Sequence, residues 1–221
     1  MLQVKDSMTR EVVVLSPRTT AAEALAVCRE RRIRHLPVLE EGRLVGIVSD
    51  RDLRSATPAL GDPDRASALE SIRVSDVMAR EVTTAHPDDP IEVAANCMRE
   101  EKIGSLPVVE HDRLVGIITA SDVMKALVYL VGANEPGSRL EVLLPDRPGT
   151  LAGAAEVFRD HGVNVLSVAA AARRDRTGRE RPQEGPSEGR VAVFRIDTID
   201  PHAVVEALER AGYPVLWPPR G

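Results

Sequence analysis

Aromatic residues and an excess of basic charge are both missing from this sequence. Phenylalanine, tyrosine and tryptophan make up 2% of the 221 residues, and the formal net charge is -5. Proteins that bind single-stranded nucleic acid stack the bases on aromatic side chains, and attraction to a duplex or an anionic membrane needs clustered basic side chains. We therefore expect no direct nucleic-acid partner and no membrane partner.

Cysteines and long apolar runs are scarce as well. Cys28 and Cys97 are too few for a disulfide framework, and each lies in an apolar helical pattern. This predicts two buried thiols in a reducing cytoplasm. No apolar run approaches the ~20 residues that span a bilayer, and the start of the chain lacks the basic head and apolar core of a signal peptide. We expect a cytoplasmic protein.

The patterns of common catalytic and metal sites are also absent from the sequence. The histidines are His35, His86, His111, His161 and His202. None has a cysteine or another histidine at the spacing of a metal site. No Gly-x-x-x-x-Gly-Lys-Ser/Thr loop and no Gly-x-Ser-x-Gly elbow occurs. We therefore predict a protein that is not an enzyme, has no metal site and requires no cofactor.

What the sequence does contain is one segment repeated. At an offset of 70 residues, Val4–Leu53 aligns with Val74–Val123 without a gap. The matches include Leu36-Pro37-Val38 on Leu106-Pro107-Val108 and Arg43–Ile47 on Arg113–Ile117. So many matches at one offset indicate an internal duplication.

Each copy has the pattern of a small β-α-β-β-α unit. In copy one, a strand at Val12–Leu15 precedes a helix that begins with a capping box of Thr20 and Glu23. Leu36–Leu39 and Leu44–Ser49 then predict a β-hairpin, followed by a last helix. Because one copy is small and half-open, we expect the two copies to bury their sheets against each other.

The equivalent helix of copy two has different residues at its start. We expect Asp89 to cap this helix, Pro90 to take its first position and Glu92 to lie in its first turn. Between the copies, residues 55–73 predict a surface loop with a short helical turn near Ala66–Ser71.

The tandem motifs resemble a pair of cystathionine-β-synthase (CBS) domains. Leu-Pro-Val is followed by Leu-Val-Gly-Ile-Val-Ser-x-x-Asp at 44–52 and by Leu-Val-Gly-Ile-Ile-Thr-x-x-Asp at 114–122. We take the pair to span residues 1–131, with copy one at 4–54, the linker at 55–73 and copy two at 74–131. The resemblance implies a regulatory module that binds an adenosine ligand.

A hydroxyl residue and an acid stand at the start of the last helix in each copy: Ser49 and Asp52, then Thr119 and Asp122. A helix start presents N–H groups to a phosphate, and a carboxylate can accept hydrogen bonds from both hydroxyls of a ribose. In CBS pairs similar to this one, these residues hold the phosphate and ribose of the ligand. The resemblance implies that role here, with AMP, ADP, ATP or S-adenosylmethionine as candidates.

Helix capping is the alternative interpretation of the same residues. A Ser-x-x-Asp or Thr-x-x-Asp pattern also fits a cap with an acid in the first turn, and such a cap needs no ligand. Capping does not explain why Gly46 and Gly116 stand three residues earlier in both copies. A glycine there admits a ligand or a neighbouring backbone closely.

The two copies differ where phosphate charge would be neutralised. Arg34-His35 precedes Leu36 in copy one, whereas Gly104-Ser105 stands at the equivalent place in copy two. A guanidinium or an imidazole can pair with phosphate oxygens; the alternative is a solvated strand edge. Thr83 and Thr84 can reach a base or ribose, or can simply favour a strand. We expect one site to prefer a phosphate-rich ligand and the other a less charged one.

After a turn-rich linker at 132–138, the last part of the chain has a different pattern. Leu140–Leu144 predicts a strand, and Leu151–Phe158 an amphipathic helix whose start Thr150 is placed to cap. The complete order at 139–218 is β-α-β-β-α-β, a ferredoxin-like fold. Residues 173–190 predict a mobile loop. The chain as a whole is therefore of the α/β (α+β) class.

The motif from Asp146 to Leu151, together with His161–Val165, is similar to an ACT domain. That resemblance implies an amino-acid ligand near Gly149, Thr150, Leu151 and the Asn164 amide. Alternatively, Asp146 and Thr150 only shape a turn, and the domain serves only to dimerise. A CBS pair followed by an ACT domain is similar to the acetoin-utilisation family of AcuB type.

The resulting hypothesis is a regulatory sensor that binds an adenine nucleotide at the CBS pair and an amino acid or small metabolite at the ACT domain. A homodimer is expected, because paired CBS modules stack and an ACT edge strand can pair with another. The alternative is a ligand-independent dimerising adaptor that docks on an enzyme or transporter. Regulation of gene expression through a DNA-binding partner is a third hypothesis.

Overall fold

The computed structural model describes residues 2–57, 62–172 and 189–218. The chain divides into two compact units, Met1–Ala126 and Leu127–Gly221. The predicted mobile loop at 173–190 lies almost wholly outside the described residues. Within the described ranges, no helix is long and apolar enough to cross a membrane.

The duplicated segment lies in unit one, except that its last helix continues past Ala126 to Leu130. Its elements, in chain order, are α1 (Val4–Ser7), α2 (Ala21–Arg31), β1 (His35–Glu40), β2 (Arg43–Ser49), α3 (Asp50–Ser55), α4 (Arg65–Ser71), α5 (Val74–Val77), α6 (Ile91–Glu101), β3 (Ser105–Glu110), β4 (Arg113–Thr119) and α7 (Ala120–Leu130). Strands β1 and β2 form one antiparallel hairpin, and β3 and β4 form another. The fully buried Leu36, Leu53, Leu106 and Ile118 anchor the core. The predicted mixed α/β fold of two pseudo-symmetric copies is confirmed.

The two copies interlock through reciprocal contacts. The backbone of Thr9 exchanges two hydrogen bonds with that of Ile117, and the backbone of Ala79 exchanges two with that of Ile47. These pairs are related by the offset of 70 residues, so each copy adds its leading segment to the hairpin of the other. The expected strand at Val12–Leu15 is reduced to one parallel bridge, Leu15 to Val38.

Helix α2 begins with the predicted capping box. Thr20 Oγ1 accepts from the Glu23 backbone N–H at 3.1 Å, and the Glu23 carboxylate accepts from the Thr20 N–H at 2.8 Å. In copy two the predicted cap is wrong, because Pro90 is itself the N-cap and α6 starts at Ile91. The Asp89 carboxylate turns back to accept the His86 N–H at 2.7 Å, a local bond that competes with capping.

Unit two is a four-stranded antiparallel sheet packed against two helices. Its elements are β5 (Ser138–Leu144), α8 (Thr150–Asp160), β6 (Val165–Ala172), β7 (Arg190–Ile196), α9 (His202–Arg210) and β8 (Val215–Trp217). The strand order is β6-β7-β5-β8, as in a ferredoxin-like fold. Phe158 and Phe194 meet in its core, with ring centroids 5.0 Å apart.

Two details of the sequence predictions need correction. Thr150 does not cap α8: Gly149 is the N-cap, in the left-handed conformation at φ +86°, and Thr150 Oγ1 donates to the Arg147 carbonyl at 2.9 Å. The turn after Pro148 needs this backbone conformation, which glycine adopts at little cost. Of the two cysteines, Cys28 is buried but Cys97 is partly exposed.

Candidate functional site

A polar cleft of about 1030 Å³ opens between the two copies of unit one. One wall comes from copy one, at Arg34–His35 and at the end of β2 with the start of α3. The other wall comes from copy two, at residues 81–83 and at the passage from α6 into β3. We call it the Ser49 cleft, after the hydroxyl residue at the end of β2 that lines it.

Ser49 and Asp52 stand in this cleft as a reciprocal capping box. Asp52 Oδ2 accepts from Ser49 Oγ at 2.6 Å and from the Ser49 N–H at 2.9 Å, while Ser49 Oγ accepts from the Asp52 N–H at 3.2 Å. The geometry of the capping alternative is therefore present. Both of these bonds to the carboxylate use Oδ2, so Oδ1 takes no part in the capping box.

The start of α3 presents fewer N–H groups than expected. The Asp50 N–H donates to the Arg34 carbonyl at 2.9 Å, and the Asp52 N–H donates to Ser49 Oγ. Two of the first three helical amides are thus paired within the protein. Fewer amides are therefore left for a phosphate at the start of this six-residue helix than the sequence alone suggests.

Thr119 and Asp122 repeat this arrangement in copy two. Asp122 Oδ2 accepts from Thr119 Oγ1 at 2.6 Å and from the Thr119 N–H at 3.0 Å. Lys125 Nζ lies 4.0 Å from Asp122 Oδ1. Neither Thr119 nor Asp122 lines the Ser49 cleft.

The glycines that capping left unexplained are explained by packing between the copies. A Cβ on Gly46 would lie 2.5 Å from Met78 Sδ and 3.0 Å from the Ala79 carbonyl oxygen. A Cβ on Gly116 would meet Met8 Sδ at 2.5 Å. A neighbouring chain segment, not a ligand, therefore requires glycine at both positions.

Arg34 and His35 both line the cleft, and the His35 ring faces copy two. A Cβ on Gly104 would lie 3.0 Å from His35 Nε2, so the missing side chain of Gly104 makes room for the ring. Burial lowers the pKa of His35, against the opposing effect of Asp50 and Asp52. Burial thus favours the neutral form of the His35 imidazole, which can take part in a hydrogen bond without carrying a charge.

Of the two neighbouring threonines, the structure brings only Thr83 into the cleft. Thr83 Oγ1 donates a short hydrogen bond to Glu101 Oε2. Thr84 is exposed and is not part of the lining.

Sequence reasoning missed several charged residues of the lining. They are Asp50, Arg51, Arg54, Glu81, Glu101 and Lys102. Glu101 is the last residue of α6, and Lys102 follows it. The equivalent residues at the end of α2 in copy one are Arg31 and Arg32. The repeat offset gives this equivalence, but the cleft itself arises only from the apposition of the copies.

Except for Thr150, the residues predicted to bind a ligand in unit two lie on its surface. Asp146 is 3.4 Å from Arg190 Nε in an exposed ion pair, and Leu151 is exposed. Thr150 is buried, with its hydroxyl bonded to the Arg147 carbonyl. The Asn164 N–H donates to Asp197 Oδ1 at 2.9 Å, and the residue is exposed.

Family models match both units. The CBS-domain model matches residues 4–58 and 74–129, and the ACT-domain model matches residues 138–212. Among curated proteins, the CBS domain-containing protein YhcV of Bacillus subtilis (strain 168) is 34% identical over 122 residues, which cover 55% of this chain and 83% of that protein. Several other relatives are enzymes, such as an inosine-5'-monophosphate dehydrogenase of Methanocaldococcus jannaschii, of whose length the chain spans 25%.

Solved structures resemble the duplicated part. A Vibrio cholerae protein assigned to acetoin utilization (AcuB) is 36% identical, with a TM-score of 0.52 over 61% of this chain and 96% of that one. The CBS domain pair of protein MJ0100, in complex with 5'-methylthioadenosine and S-adenosyl-L-methionine, is 28% identical, with a TM-score of 0.50 over 61% and 99%. CBSX2 in complex with AMP is 29% identical, with a TM-score of 0.50 over 58% and 98%.

Proposed function

Because the chain belongs to the CBS-domain family, as a CBS-domain pair followed by an ACT domain, we propose that it is a non-catalytic regulatory protein that senses an adenosine nucleotide or a related adenosine compound. CBS and ACT domains are regulatory modules, and the ligand-bound relatives hold AMP or S-adenosylmethionine and methylthioadenosine. We place this role in the cytoplasm, where thiols such as Cys28 and Cys97 stay reduced.

The observation that carries the proposal is the Ser49 cleft. It combines the Asp52 carboxylate, whose Oδ1 takes no part in the capping box, with hydrogen-bonding groups from the opposite copy, such as Thr83 and Ser105. A ligand held by both walls contacts both copies at once. Binding therefore favours the arrangement of the copies that fits the ligand, by as much as its affinities for the alternative arrangements differ.

Calorimetry on the full chain tests this proposal. We expect AMP, ADP, ATP or S-adenosylmethionine to bind, and the variant Asp52→Asn to weaken binding at least ten-fold. Asp76→Asn is the matched control, because Asp76 likewise accepts the backbone N–H of the residue before its helix, Arg73, at 2.9 Å and does not line the cleft. Loss of binding in both variants would assign Asp52 a structural role only.

A ligand-independent adaptor is the second candidate. Capping accounts for Ser49 and Asp52, and packing accounts for Gly46, so neither pattern requires a ligand. Flat calorimetric traces for every adenosine compound would favour the adaptor, which would dimerise and dock on an enzyme or transporter. The edge strand β6 offers a route to such a homodimer, and light scattering would measure it.

For the ACT domain we propose an amino-acid or small-metabolite ligand at the turn before α8. A Cβ on Gly149 would meet no atom within 4 Å, so the backbone there is open to a ligand. Thermal shift with a panel of amino acids tests this. Any stabilisation by an amino acid should be lost in Asn164→Ala.

A further inference from the structure

The charges that line the Ser49 cleft are balanced. The basic side chains are Arg34, Arg51, Arg54 and Lys102, and the acidic ones are Asp50, Asp52, Glu81 and Glu101. Burial lowers the pKa of His35 and so disfavours a positive charge on this side chain. A site for a polyphosphate usually has a clear excess of basic groups.

Part of the basic charge is already engaged. Arg54 Nη2 lies 3.7 Å from Asp50 Oδ2, and two of the first three amides of α3 are bonded within the protein. Because this pair offsets one cation and one acid, Arg34, Arg51 and Lys102 are left beside Asp52, Glu81 and Glu101. The cleft therefore has no excess of basic charge to offset a further negative charge on a ligand.

Two of those acids come from copy two. Thr83 Oγ1 donates to Glu101, which holds this carboxylate at the cleft wall, and Glu81 lies two residues before Thr83 in the same wall. Copy one has Arg31 at the position equivalent to Glu101. The repeat fold itself therefore does not demand an acid there.

We propose that the Ser49 cleft selects adenosine compounds of low negative charge, and that Glu81 and Glu101 are the residues that discriminate against polyphosphates. This inference rests on the proposed function. Removing these two negative charges should leave the affinity for an uncharged adenosine derivative unchanged. It should raise the affinity for ATP most, because ATP carries more negative charge than AMP. For exposed charges at about 0.1 M salt, the gain for ATP is roughly five-fold in affinity.

The test is calorimetry of the full chain with ATP in magnesium-free buffer, with AMP and with 5'-methylthioadenosine. The variant is Glu81→Gln/Glu101→Gln, which changes charge and almost no volume. Its matched control is Glu40→Gln/Glu41→Gln, the same charge change at the turn of the β1–β2 hairpin, remote from the end of β1 that lines the cleft. Circular dichroism checks that both variants fold.

We expect the native chain to bind AMP and methylthioadenosine at least as tightly as ATP. The cleft variant should bind ATP roughly five-fold tighter than the native chain does, with a smaller gain in affinity for AMP. Its affinity for methylthioadenosine should not change. The control variant should leave the affinities for all three compounds unchanged. If the native chain bound ATP ten-fold more tightly than AMP, this inference would be overturned while the proposed function would stand. The same would follow if the cleft variant changed the affinity for methylthioadenosine as much as that for ATP. Absence of binding by all three compounds would overturn the proposed function as well.

Discussion

Copies one and two of the repeat share their hairpin register residue for residue and differ in the charges they carry. His35 pairs with Ser49 as Ser105 pairs with Thr119, and both hairpins have a register shift at the same place. At the strand starts, however, copy one has a cation and an imidazole where copy two has Gly104 and Ser105. The glycine–methionine contacts between the copies repeat, whereas the residues at the starts of β1 and β3 do not.

The largest effects should come from the repeated packing residues. Gly46→Ala places a Cβ against Met78 Sδ and the Ala79 carbonyl, and Gly116→Ala does the same against Met8. Because overpacking of a tight contact costs about 1–3 kcal/mol, we expect both variants to lose that much free energy of unfolding, measured by urea titration. Unequal losses would contradict the equivalence of the two contacts.

The double variant Gly46→Ala/Met78→Ala is the control for this mechanism. Removing the Met78 side chain relieves the closest contact, at 2.5 Å, so the two changes should cost less together than the sum of the single variants. Strict additivity would show that Gly46 is needed for another reason.

The sequence predicted most of this shared framework, because periodicity and turn signals are local. The offset of 70 residues, the hairpins and the helix after Ser49 were all visible in it. The start of α6 was misjudged because Asp89 has two competing uses, as a cap and as an acceptor for the His86 N–H. Only the fold reveals which bond forms.

The cleft was predicted only in part, because its walls come from residues far apart in sequence. Ser49 and Asp52 stand in a recognisable motif, whereas Glu81 and Glu101 reach the cleft only through the apposition of the copies. The same apposition explains Gly46 and Gly104, whose neighbours Met78 and His35 belong to the other copy.

A smaller effect is expected at the helix starts, where the copies differ. Thr20→Ala removes the capping box of α2 and should cost about 1 kcal/mol of unfolding free energy. Copy two has Val93 where copy one has Glu23, and this valine is exposed and takes no part in a cap. Val93→Ala should therefore lower the free energy of unfolding by less than about 0.5 kcal/mol. Thr20→Ser keeps the accepting oxygen and should retain most of the stability. A Thr20→Ser loss as large as that of Thr20→Ala would show that the methyl group matters more than the cap.

The smallest expected effect concerns pH and His35, which has no counterpart in copy two. Its pKa in the folded protein lies below the ordinary 6.5, because burial disfavours the imidazolium. As the pH falls below 6.5, the unfolded chain takes up a proton that the folded chain resists, so the free energy of unfolding should decrease and then level off below the folded pKa.

Urea titrations between pH 7 and 5 should show this decrease in the native chain and a smaller one in His35→Gln. His111→Asn, at an exposed turn residue with φ 50° outside the cleft lining, is the matched histidine substitution for comparison. An unchanged slope in His35→Gln would mean that the acid sensitivity comes from another group.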